Sequence, residues 1–263
     1  MAIRPFTTRK LPFAGRLSLT LVLAILGEGY ISSFLFMVDH HQNRDGREGL
    51  SKVDIEGIYS GTVRPPIFAD LLRDGHPTEH DSEAALDETD REVLLEWLTG
   101  ENIAANWSNI DFGDGYGSPQ EIVGMACASC HGAAAPAERR AEPELDDWSD
   151  YQEIALEKEI KSNEVSVLLA TTHTHAIGMG TVTLLMVLLG HATRLRAWVV
   201  ALASIAASAG LLLDLISWWL ARLSSIWTSG IILGGAAHAI GMALLFLFVF
   251  IDLWMPMGTR EDD

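Results

Sequence analysis

Cys127, Cys130 and His131 form a C-x-x-C-H run that contains both cysteines of the chain. This is the attachment pattern of a c-type haem. Two thiols three residues apart bond the porphyrin vinyl groups, and the adjacent histidine takes one axial position on the iron. With no further cysteine, no thiol is left over for a disulfide or a zinc site. A redox C-x-x-C of the thioredoxin kind requires a βαβ context, and none is read here. The expectation is one haem c on Cys127 and Cys130, with His131 as the proximal iron ligand.

Simple electron transfer calls for a second axial ligand. Met125 is too close to Cys127 to reach the other haem face, and no methionine follows until Met179. His76 and His80 fall in a polar loop and read as solvent-facing. His40 and His41 end the first apolar run, so His41 is a candidate. His173 and His175 open the second run, at a sequence distance from His131 that suits a distal ligand. The expected distal ligand is therefore His173 or His175.

The same run holds a repeat. His175-Ala-Ile-Gly-Met179 recurs as His238-Ala-Ile-Gly-Met242 in the fourth apolar run. Both segments run in the same direction across a membrane, at similar depth. His175 and His238 are thus candidates to clamp a second, b-type haem, with small neighbours allowing close approach. Glu28 and Asp214 lie inside apolar runs. Intramembrane carboxyls mark proton sites or cross-helix bonds, and a quinol-oxidising site would use them as proton acceptors. His41–Gly46 places Asn43, Asp45 and Gly46 in EF-hand register. Lys52 stands where the bidentate Glu belongs, so calcium is not expected.

These residues need a membrane scaffold. The chain is 49% hydrophobic yet carries a net charge of −17. Residues 39–165 hold 29 acidic and 10 basic side chains, net −19, and the rest hold 6 and 8, net +2. Apolar runs at 17–38, 167–190, 197–220 and 226–254 each exceed the roughly 20 residues that cross a bilayer. Arg4, Arg9, Lys10 and Arg16 precede the first run, and Arg194 and Arg196 separate the second and third. By the positive-inside rule both groups are cytoplasmic and the acidic insert is outside. The first run lacks a convincing cleavage site and reads as a signal anchor.

The predicted architecture is all-α: a four-span bundle with an inserted, mostly helical exported domain. Its parts are a cytoplasmic N-terminus (1–16), a first span (17–38), the haem c domain (39–165), three further spans (166–256) and a cytoplasmic tail (257–263). Within the insert, Ser51 with Asp54 starts a short helix. Thr89 with Glu92 and Ser118 with Glu121 read as capping boxes. The second, with Pro119 at the first helical position, leads a helix into Cys127. Residues 133–143 read as a flexible stretch, and 151–161 as an amphipathic lead-in to the second span.

SPQEIVGMACASCHG (118–132) and LDETDREVLLEWLTG (86–100) resemble class I-like monohaem cytochrome c domains. In that family the Leu/Trp-bearing helix follows the haem motif, whereas here it precedes it, and the usual Met ligand is missing. The layout is similar to membrane-anchored monohaem cytochromes with multi-span anchors. That resemblance implies electron transfer at the outer face of a bacterial inner membrane, within a respiratory or photosynthetic chain or complex. The resemblance names no partner; the apolar runs call for membrane lipid, the acidic surface for a basic soluble redox protein, the intramembrane carboxyls for quinol and the short anchor loops for neighbouring subunits of a larger membrane complex, with no nucleic acid expected. An electron carrier is expected ahead of a catalytic subunit. The rivals are a quinol-oxidising subunit with haem b, and a haem-based gas or redox sensor.

Overall fold

The computed structural model describes residues 7–77, 86–112 and 117–255. In chain order it contains α1 (Phe13–His41), α2 (Lys52–Tyr59), β1 (Thr62–Arg64), α3 (Ile67–Arg73) and α4 (Glu88–Thr99). There follow α5 (Ile103–Asn106), α6 (Pro119–Ala126), α7 (Ala128–His131), α8 (Trp148–Ala155), β2 (Lys158–Ile160), α9 (Val165–His191), α10 (Ala197–Leu220) and α11 (Thr228–Trp254). The chain divides into two compact units. One holds residues up to 44, 49–61 and 161 onward; the other holds 45–48 and 62–160. The tail at 257–263 lies outside the described residues.

The membrane unit is built on α1, α9, α10 and α11. Among the described residues these four are long and apolar enough to cross a bilayer, at the places the apolar runs predict. The chain is a multi-pass membrane protein. Large side chains such as Ile25, Phe34, Leu184, Leu202 and Ile240 are exposed on the helix surfaces, as lipid-facing positions must be.

Close packing of α10 on α11 depends on glycine. A Cβ on Gly241 would lie 2.3 Å from the Ala207 nitrogen, and one on Gly234 would lie 2.5 Å from the Asp214 nitrogen. With no hydrophobic force between helices in lipid, such backbone contact supplies much of the association energy. At one end of the unit Asp252, fully buried, accepts from the Arg194 backbone at 3.1 Å and its guanidinium at 3.2 Å, and from the Thr8 hydroxyl. Thr8 also donates its N–H to Ala192 at 3.2 Å. The segment before α1 and the Arg194–Arg196 loop therefore share one end, as the charge pattern requires.

The predicted insert boundaries shift. α2, capped by Ser51 and Asp54 as expected, belongs to the membrane unit. Tyr59 stacks on Trp218 with ring centres 5.8 Å apart, and the Ser60 hydroxyl donates to the Ala221 carbonyl at 2.6 Å. Burial and the nearby Asp214 charge raise the Tyr59 phenol above its ordinary pKa.

The second unit is closed by a two-strand clasp. β1 pairs antiparallel with β2, Val63 opposite Glu159. Buried Arg64 donates to the Asp45 carbonyl at 3.2 Å and the Glu153 carbonyl at 2.7 Å. Gly46, at φ +78°, leaves room for it, since a Cβ there would lie 2.1 Å from Arg64 Nη1. Around Trp97, Trp107, Trp148 and Tyr151, α3, α4, α6 and α8 bury one core. Trp97 Nε1 donates to the Ile103 carbonyl at 2.8 Å. The cap of α4 is Asp87, whose carboxylate accepts the Asp90 N–H at 2.8 Å. This places Thr89 inside the first turn, not at the predicted N-cap position. The stretch expected as an amphipathic lead-in is instead α8 followed by strand β2.

Candidate haem-attachment site

α6 delivers the C-x-x-C-H segment. Its start is the predicted capping box: the Glu121 N–H donates to Ser118 Oγ at 3.3 Å, and the Ser118 N–H donates to Glu121 Oε2 at 2.9 Å. Ile122 and Val123, buried in the core, fix its rotation. Burying each such side chain is worth about 1.5–3 kcal/mol. The chain then turns through Cys127 into α7, where Cys130 and His131 both donate their N–H groups to the Cys127 carbonyl.

Residues 141–146 brace this turn. Ala141 donates to the Cys130 carbonyl at 2.9 Å, and Leu145 to the His131 carbonyl at 2.8 Å. The Asp146 carboxylate accepts the Ala133 N–H, with both oxygens at 3.0 Å. Gly132 is needed for this approach, because a Cβ would lie 2.7 Å from the Ala128 carbonyl oxygen. Arg140 donates to the Ala133 carbonyl at 2.7 Å. The stretch read as flexible is thus hydrogen-bonded onto the motif.

His131 Nδ1 lies 2.9 Å from the Pro143 carbonyl oxygen. A carbonyl can only accept, so Nδ1 carries the proton and Nε2 presents its lone pair. Metal-binding histidines are oriented and kept in the correct tautomer in this way. Cys127, Cys130 and His131 line one cavity of about 170 Å³, together with His76, Pro77, Ala126, Arg139 and Ala141. The His76 and His131 ring centres are 6.0 Å apart.

Cys127 packs against the core and bonds to the Tyr151 phenol. Burial pushes its thiol up to about 11. That is the reverse of a redox or metal-ligating cysteine, which needs a thiolate at neutral pH. Among the described residues no three His, Cys, Asp or Glu side chains are gathered as a metal cluster. The donor set fits a c-type haem: two thiols and an imidazole on one turn, with the imidazole held by its far nitrogen. The cavity is below the roughly 300 Å³ at which pockets begin to enclose a drug-sized ligand. As it stands the cavity does not enclose a whole porphyrin.

The remaining candidates lie in the membrane unit. His173 is exposed on α9. His175 Nδ1 is 2.8 Å from the Thr171 carbonyl, and its ring meets Trp218 edge-on at 5.2 Å. His238 is buried. Its Nδ1 donates to the Ala207 carbonyl at 2.8 Å and its Nε2 faces the Tyr30 hydroxyl at 3.4 Å. His175 lines two cavities, of about 370 and 590 Å³, and His238 lines neither. Tyr30, which lines the smaller one, takes up the His238 nitrogen a clamped haem would need, so the repeated HAIGM segments do not converge on one space.

His41 Nδ1 contacts Arg44 Nη2 at 3.2 Å. Glu28 is exposed mid-span on α1, and Asp214 accepts from Trp218 Nε1 at 3.0 Å. In the segment read against an EF-hand, Asn43 and Asp45 accept the backbone N–H groups of Gly49 and Arg47, each at 2.9 Å. His80 lies outside the described residues.

Three features escaped the sequence reading. Asp252 sits too near the end of the fourth run to stand out. Pro143 carries no motif. His76 had a signal: Asp74-Gly75-His76-Pro77 is a helix stop, with Gly in the left-handed position and Pro beyond.

Residues 149–261 match a family model described as a transmembrane helical domain, Aq_1264_TM. The match takes in α9, α10 and α11, and leaves out α1 and the C-x-x-C-H segment. No curated protein and no solved structure matches the chain.

Proposed function

We propose that the chain is a membrane-anchored c-type cytochrome, carrying one haem c on Cys127 and Cys130 and passing electrons at the outer face of a bacterial inner membrane. The observation that carries this reading is the cavity that His131 shares with both cysteines, its imidazole oriented by the bond to the Pro143 carbonyl. Each thiol adds across one vinyl double bond: the sulfur–carbon bond forms, the thiol hydrogen goes to the other vinyl carbon, and no oxidant is needed. Haem bound there supplies one-electron iron chemistry. His131 would hold the iron, the Pro143 carbonyl keeps its imidazole in the required tautomer, and the Trp97–Tyr151 core braces the turn.

The net charge of −19 over residues 39–165 favours a basic soluble partner and would speed encounter at low salt. Glu28, exposed among the lipid-facing residues of α1, supports a neighbouring subunit on that face, within a respiratory or photosynthetic complex. The test is expression with a c-type maturation system. Haem should resist acid-acetone extraction, and Cys127→Ala/Cys130→Ala should lose it. Haem extracted freely from the parent chain, or bound equally by the double variant, overturns the reading.

A second reading, quinol binding in the membrane unit, is favoured by the two cavities that share Ser33 and His175. Together they offer an apolar slot between α1 and α9 and a wider chamber beside Tyr59 and Trp218. The His175 tautomer leaves Nε2 as an acceptor for a quinol hydroxyl. A quinone analogue should quench Trp218 fluorescence in the parent chain and not in His175→Ala; equal quenching in both removes this reading. A b-type haem between His175 and His238 would need Tyr30 displaced.

A further inference from the structure

We infer that His76 is the second axial ligand of the iron held by His131, an inference that rests on the haem c reading. Three observations converge on it within one compact unit.

The first is distance. A metal–imidazole bond is about 2.0–2.1 Å, and the ligating nitrogen lies about 1.1 Å from its ring centre by covalent geometry. Two histidines on opposite sides of one iron therefore have ring centres about 6.3 Å apart. His76 and His131 stand 6.0 Å apart, with planes inclined by 67°. Bis-histidine ligation thus needs a change of only a few tenths of an ångström in ring spacing.

The second is placement. His76 borders the same cavity as Cys127, Cys130 and His131, so the two imidazoles and the two attachment cysteines share one space.

The third is how His76 is held. α3 ends in a Schellman motif, with Gly75 at φ +88°. Gly75 donates its N–H to the Leu72 carbonyl at 3.2 Å, and His76 donates to the Leu71 carbonyl at 2.9 Å. Arg91 Nη1 then donates to the Leu72 carbonyl at 2.6 Å and to the His76 carbonyl at 3.0 Å. Leu72 is buried in the core beside Leu94 and Ile122. The backbone of His76 is thus tied through α3 and α4 to the helix that carries Cys127. The one methionine in this unit is Met125, which is 68% exposed and two residues from Cys127.

With both axial positions taken by imidazole, the iron has no open site for a small gas. Its potential should lie below that of a Met/His pair, since a methionine ligand raises it. This assigns the chain to electron transfer and not to gas sensing.

The test uses the haem-loaded full chain in detergent. Optical and EPR spectra should be low-spin in both redox states, with no shift under carbon monoxide. His76→Ala should turn the ferric haem high-spin, let the ferrous form bind carbon monoxide, and return to low-spin on adding imidazole. His76→Met should stay low-spin with a raised midpoint potential, which covers the case in which the alanine variant loses haem. His80→Ala should leave all spectra unchanged. A low-spin, carbon-monoxide-insensitive His76→Ala overturns the assignment, as does a high-spin His80→Ala, His173→Ala or His175→Ala. Covalent haem absent from the parent chain sinks the haem reading itself; haem present with His76→Ala silent sinks only the ligand.

Discussion

Before haem is attached, the Cys127 thiol should be inert. Burial against the Trp97–Tyr151 core pushes it from 9.0 up to about 11. A shift from 9.0 to about 11 leaves about a hundredth of the ordinary thiolate fraction at any pH well below the ordinary value. Alkylation proceeds through the thiolate. In a Cys130→Ser chain expressed without haem, native Cys127 should react with iodoacetamide about 100-fold more slowly than the same chain in denaturant. Stability follows with a definite sign. A thiol whose folded pKa is raised contributes fully below the unfolded value and loses that contribution as pH rises through the folded one. About 3 kcal/mol should therefore disappear between pH 9 and 11. The bond from Tyr151 favours the thiolate, so Tyr151→Phe should slow alkylation further. In the haem-loaded chain the sulfur is a thioether and the alkaline step should vanish. A native-to-denatured rate ratio near one would refute the argument and return Cys127 to the reactive, redox type of cysteine.

Asp252→Ala removes the acceptor shared by the Arg194 backbone, its guanidinium and the Thr8 hydroxyl; a buried donor left unpaired costs about 1–3 kcal/mol, so thermal unfolding in detergent should show a clear drop. Gly241→Ala puts a methyl group onto the Ala207 backbone and should lower the melting point, whereas Gly235→Ala, with nothing within 4 Å, should be neutral or better. Ser118→Ala removes the cap of the helix that leads into Cys127; a loss of about 1 kcal/mol should appear as a lower haem-loaded fraction in a haemochrome assay.

The spans were legible because about 20 apolar residues in a row have few other uses, and the observed helices match the predicted runs to within a few residues. The caps at Ser51 and Ser118 were legible because the Ser-x-x-Asp and Ser-x-x-Glu patterns are local. Thr89 misled for the same reason: T-x-x-E is a valid pattern, but Asp87 two residues earlier is also a cap former, and its carboxylate reaches Asp90. The boundary at 39 failed on a contact between distant parts of the chain. Nothing near Tyr59 in sequence announces that it will stack on Trp218. Sequence placed His175 and His238 at equal depth but could not say which way each ring turns. Tyr30 and Ala207, on other helices, settle that for His238. His76 was set aside for its polar surroundings, and it is exposed. Its approach to His131 follows from the Schellman turn and from the Arg91 bonds, which hold the His76 backbone and carry no local sequence motif.

Intact mass of the chain, purified after expression with a c-type maturation system and denatured before measurement, tests the central claim most directly. The account predicts a shift of one haem, surviving denaturation and abolished in Cys127→Ala/Cys130→Ala. An unmodified parent mass, under conditions where a control cytochrome c is fully loaded, would contradict it.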